Sequence, residues 1–94
     1  PDVLVVAPPH FVPTDFAPWA DGVARQIDAS RHVAGIYAEL CRTTGCAFFD
    51  SAPVAVAHPA DGVHLDADAT RGLGEAIAPV IAELVDGRAR RLRA

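Results

Sequence analysis

The sequence predicts an α/β fold built on parallel strands, and three observations predict it. Residues 3–7 form an unbroken apolar run and residues 47–50 a second short one. Runs without polar alternation suit strands buried on both faces. Two stretches with apolar residues at helical spacing alternate with them. The resulting order is strand, loop, helix, strand, loop, helix, which is the order of parallel α/β units.

The first strand ends at Pro8-Pro9, because proline has no N–H to give to a ladder. Residues 8–29 carry Pro13 and Pro18 beside Phe11, Phe16 and Trp19. They read as a structured apolar loop with short helical turns around 15–19 and 22–27. Ser30 is expected to cap the first long helix. Its apolar stripe is Val33, Ile36, Tyr37, Leu40 and Cys41, and Gly45 ends it. Residues 58–65 are a loop punctuated by Pro59 and Gly62. Asp66 or Asp68 caps the last helix, whose stripe is Leu73, Ala76, Ile77, Val80, Ile81 and Leu84, with Gly87 expected to stop it.

Two short parallel strands alone would leave both edges unpaired. The chain also begins at Pro1 and has no Met. It is therefore expected to be a segment whose sheet is completed from elsewhere, not a self-sufficient domain. About half the residues are apolar, which excludes a disordered chain. The net charge of −4 argues against a nucleic-acid binder. No run is long enough to span a membrane. Arg88, Arg90, Arg91 and Arg93 read as a solvated tail. Cys41 and Cys46 match neither a C-x-x-C redox pair nor a zinc motif, so two buried thiols are expected, with a disulfide the alternative. Localisation is left open by the sequence, with the cytoplasm favoured.

The stretch that carries chemistry is Asp61-Gly62-Val63-His64-Leu65-Asp66. It follows the second strand, on the side where open α/β sheets bind ligands. Asp and His three apart can share one side of a turn. The carboxylate can then accept the Nδ1–H of the imidazole, which leaves Nε2 as a base. Gly62 allows the turn between them. The plain alternative is an Asp-Gly turn beside a hydrogen-bonded histidine.

The string FFDSAPVAVAHPADGVHLDADATRGLGEAIAPVI resembles the C-terminal end of SGNH (GDSL-type) hydrolases, in their arylesterase-like branch. VLVVAPPHF resembles that family's penultimate strand and the loop after it. The resemblance covers nearly the whole chain. It implies the last two parallel strands, with their helices, of a three-layer α/β/α flavodoxin-like sheet, so that residues 1–94 form the C-terminal segment of one domain. It implies a serine esterase acting on small, short-acyl esters without a cofactor, with Asp61 as orienting acid and His64 as general base.

The sequence departs from the family in what it lacks. The family's nucleophile stands in a Gly-Asp-Ser motif, and its oxyanion hole uses a glycine and an asparagine besides. The sequence has no Asn, and its only serines are Ser30 and Ser51, neither in such a setting. The expected partner is accordingly the N-terminal part of the same enzyme, as a second chain or as missing sequence; without it the segment should be inactive. His10, Phe11 and Trp19 are the candidate substrate-binding residues, and the aromatic loop makes a homo-oligomer conceivable. His32 and His58 read as solvated and Tyr37 as core. Two other readings compete. Asp61, His64 and Asp66, with His58 near, could hold a zinc or manganese ion. A partner- or nucleotide-binding module is the third, although carboxylates crowd the helix start that would receive phosphate.

Overall fold

The computed structural model describes residues 2–93. Five elements follow in order: β1 (Leu4–Ala7), α1 (Ala20–Ser30), α2 (Val33–Thr44), β2 (Ala47–Asp50) and α3 (Ala67–Arg93). β1 and β2 pair in parallel, with Leu4 opposite Ala47 and Ala7 opposite Asp50. α2 packs against both strands. This small α/β piece is the architecture the alternation of elements predicts. The described residues contain two strands and do not show the expected three-layer sheet.

Residues 20–30 differ from the expectation of two short turns: they form one continuous helix. Pro18 does not break it because it stands just ahead of the first turn, where an N–H would have no helical partner. The chain enters the helix through a tight turn in which Trp19 and Ala20 both donate their N–H to the Phe16 carbonyl, each at 2.9 Å. Ser30 is therefore the last residue of α1 and not the N-cap of α2. Its hydroxyl donates to the Ile27 carbonyl at 2.6 Å and accepts the Phe11 N–H at 3.0 Å, tying the helix end to the loop after β1. His32 occupies the N-cap position of α2 and makes no side-chain capping bond.

The other end of α2 is as expected. Gly45 takes a left-handed conformation (φ 77°) and its N–H closes on the Cys41 carbonyl. Asp66 opens α3 as expected, its Oδ1 accepting the Ala69 N–H at 2.8 Å. Gly87 does not stop α3, which runs to Arg93. A glycine inside a helix costs only about 1 kcal/mol, and the arginines beyond it suit the negative end of the helix dipole. Arg91 is not a free tail residue, since its guanidinium donates to both oxygens of Asp2, at 3.1 and 2.9 Å.

The core is made of small residues: Ala7, Val23, Cys41, Ala55 and Ala57 are buried. Much of the predicted α2 stripe is not covered. Ile36 is 65% exposed and Leu40 54%, and Tyr37, read as core, is also exposed. Cys41 is buried and Cys46 partly so, and both are free thiols.

Candidate active site

The site forms where the loops leaving the carboxyl ends of β1 and β2 meet. The Val12 N–H donates to the Gly62 carbonyl at 3.0 Å and joins them. Within the second loop, residues 58–64 close on themselves. The His58 N–H donates to the His64 carbonyl at 2.8 Å, and the Gly62 N–H to the His58 carbonyl at 2.9 Å. Backbone groups that would otherwise need water are thus satisfied without regular secondary structure.

Gly62 is required here on two counts. Its φ is 78°, a region L side chains rarely adopt. A Cβ at this position would also run into the Val12 carbonyl oxygen and the buried Val23 side chain. The missing side chain lets the two loops and α1 approach.

The turn brings Asp61 and His64 together. The Asp61 Oδ2 lies 2.6 Å from His64 Nδ1. Its Oδ1 accepts the N–H groups of Val63 and His64, both at 2.9 Å. Those two backbone donors, with His64 Nδ1 added, hold the Asp61 carboxyl down at about 2, from an ordinary 3.8. Asp61 is therefore a carboxylate across the working pH range. A carboxylate can only accept, so the shared proton belongs to Nδ1, and Nε2 of the neutral ring carries a free lone pair. The His64 side chain is 70% exposed, while Asp61 is about a quarter exposed at 26%. The imidazole faces outward and the carboxylate is held behind it.

The remaining candidates separate. The rings of Trp19 and His64 lie 6.0 Å apart, so Trp19 is at the site. Phe11 joins Trp19 in lining a neighbouring depression with Pro18, Gly22, Val23 and Gln26. His10 lines a different hollow, with Arg31, Ala52 and Val56, and no contact links it to His64. His58 is exposed as expected, yet it lines the same shallow depression as Asp61, His64 and Asp66. Its Nδ1 accepts the Ala60 N–H at 3.0 Å. Ser30 is engaged at the end of α1. Ser51 is fully buried, and its Oγ has no partner among the described residues. Sequence reasoning missed the Val12–Gly62 junction and the ring contact of Trp19 with His64. Both join positions some fifty residues apart, and local spacing carries no sign of them.

Solved structures similar to this chain include three esterases. A carbohydrate acetylesterase family member from Sinorhizobium meliloti is 36% identical, with a TM-score of 0.86 over 92% of this chain and 40% of its own. Est24, a carbohydrate acetylesterase from Sinorhizobium meliloti, is 35% identical, with a TM-score of 0.81 over 89% of this chain and 39% of its own. The native aryl esterase of M. smegmatis is 30% identical, with a TM-score of 0.75 over 89% and 39%. In sequence and fold the chain matches part of these SGNH-type esterases. It spans about 40% of the length of these structures. No protein-family model and no curated protein matches it. The SGNH-type match agrees with the resemblance of the DGVHLD stretch, the string in which Asp61 and His64 stand.

Proposed function

We propose that this SGNH-type segment supplies the acid–base half of a serine ester hydrolase. The observation that carries the reading is the Asp61–His64 pair, bonded through Nδ1 with Nε2 left free. In this reading His64 Nε2 takes the proton of a serine hydroxyl as its oxygen attacks the ester carbonyl. The imidazolium formed is stabilised by the ionised Asp61 and gives its proton to the leaving alcohol. Water then repeats the cycle on the acyl-serine. The serine and the oxyanion donors come from the N-terminal part of the enzyme, which completes the sheet against the open strand edges. The esterase names of the similar structures support ester hydrolysis. Small, short-acyl esters are the proposed substrates.

The test is hydrolysis of p-nitrophenyl acetate by the protein containing both segments. Activity that is lost in His64→Ala and unchanged by chelator supports the reading. Activity that survives His64→Ala, or that chelator removes and zinc or manganese restores, contradicts it. The metal reading has less geometric support. Both Asp61 oxygens are already engaged, Asp66 Oδ1 caps α3, and among the described residues no three His, Cys, Asp or Glu side chains converge.

A further inference from the structure

We propose that Trp19 is a positioning residue for His64, its indole restraining the imidazole in addition to the bond from Asp61. The inference rests on the reading of His64 as the general base. Its starting point is a mechanical deficit. The His64 ring is held by one side-chain hydrogen bond, at Nδ1, and its side chain is 70% exposed. A single bond at one ring atom leaves the ring able to rock about that atom. A base must keep its proton-accepting nitrogen within a few tenths of an ångström of a productive position.

Trp19 is the side chain placed to remove that freedom. The two ring centroids are 6.0 Å apart and the planes are inclined by 39°. Trp19 in turn packs edge-on against Phe16, at 6.0 Å and 67°. Its backbone is fixed as well. The Trp19 N–H donates to the Phe16 carbonyl at 2.9 Å, and its own carbonyl accepts the Val23 N–H at 2.8 Å. The same turn of α1 brings buried Val23 against Gly62, and Val12 bonds to the Gly62 carbonyl. The segment bearing the indole and the loop bearing the imidazole are thus one body. The backbones that carry the two rings are therefore held together by hydrogen bonds and packing.

The contact has an electrostatic consequence too. A cation over an indole face is attracted within about 6 Å of the ring centroid, and the 6.0 Å spacing puts the imidazolium that His64 becomes at the edge of that reach. The charged or titratable groups lining the depression around that ring are Asp61, Asp66 and His58. Of these only Asp61 bonds to the ring, through Nδ1. Trp19 acts on the opposite requirement, the direction in which Nε2 points.

A wall of the substrate pocket and a positioning residue make different demands, and this separates the two. In the protein containing both segments, Trp19→Leu should lower kcat by about two- to tenfold, the size of an aromatic–cation contact, with KM within about twofold of wild type. Trp19→Phe, which keeps a ring beside both Phe16 and His64, should recover most of the loss. The second readout needs no ester. In NMR spectra of the full chain, the ring carbon-bound protons of His64 should shift downfield in Trp19→Leu, as the indole ring current is lost, and return toward wild type in Trp19→Phe. A rise in KM with kcat unchanged would overturn the proposal in favour of a substrate wall. So would His64 proton shifts indifferent to both substitutions. Should ester hydrolysis be absent altogether, the His64 shifts still decide the positioning role, and only the functional reading falls.

Discussion

The loop of residues 58–66 and the helix α2 solve opposite problems in the same chain. The loop buries no side chain fully, yet its backbone is closed by its own hydrogen bonds and by one from Val12. α2 is a regular helix closed at its end by Gly45, yet Ile36 and Leu40 on its apolar face stand open. Polar order is local here and apolar order is not. A turn of seven residues can satisfy its donors from within, whereas an apolar face needs a surface supplied by another part of the sheet. That difference accounts for an Asp61–His64 pair fully formed in a segment whose sheet has only two described strands.

Substitutions in the loop should break this comparison on the side of function. The largest effect is expected for His64→Ala, which removes the proposed base and should lower kcat in the complete protein by roughly a millionfold. Asp61→Asn comes next. The amide can present its N–H to Nδ1 and stabilise the wrong tautomer, and kcat should fall by roughly 10⁴-fold. Both are read by steady-state ester hydrolysis, with circular dichroism as the check that the fold is kept. Gly62→Ala acts through the backbone. It places a Cβ at φ 78° against the Val12 carbonyl, and a denaturant titration should show a loss of about 1–3 kcal/mol. Activity should fall with it, because the junction of the two loops opens.

Acid should sharpen the same contrast. The folded-state Asp61 carboxyl titrates at about 2 against an ordinary 3.8. A group depressed in this way contributes stability that is fully present above the ordinary value and is lost as pH falls toward the folded one. The amide resonances of Val63 and His64 should therefore keep their native shifts down to about pH 4 and change between about pH 4 and pH 2. Amides of α2, whose one carboxylate, Glu39, is held low by the Arg42 side chain and accepts no backbone N–H among the described bonds, should not follow the Asp61 titration. The smallest effect belongs to the open face. Ile36→Asp should change the stability of the segment by less than about 0.5 kcal/mol, as for an ordinary surface site. A loss of several kcal/mol would mean that the face is already covered.

The sequence was most legible where one physical rule decided the outcome. Both strands, the stripe of α3, the Gly45 stop and the Asp66 cap all follow from local spacing or a single side-chain bond. Asp61 and His64 were legible because their three-residue spacing is itself the geometry of the contact. Ser30 was misread because a serine before an apolar-periodic stretch has the pattern of an N-cap, while its actual partners, Ile27 and Phe11, belong to the preceding helix and a distant loop. Gly87 was misread because a helix stop needs a left-handed turn and not only a glycine. The exposure of Ile36 and Leu40 was hidden from periodicity, which tells which face is apolar and not whether anything lies on it.

The central claim is that the Asp61–His64 pair serves a serine outside these 94 residues. It is tested most directly by treating the esterase-active protein with a fluorophosphonate and locating the adduct by intact mass and peptide mapping. The account predicts one adduct, on a serine outside this sequence, whose formation is lost in His64→Ala. An adduct on Ser30 or Ser51, or labelling that does not depend on His64, would contradict it.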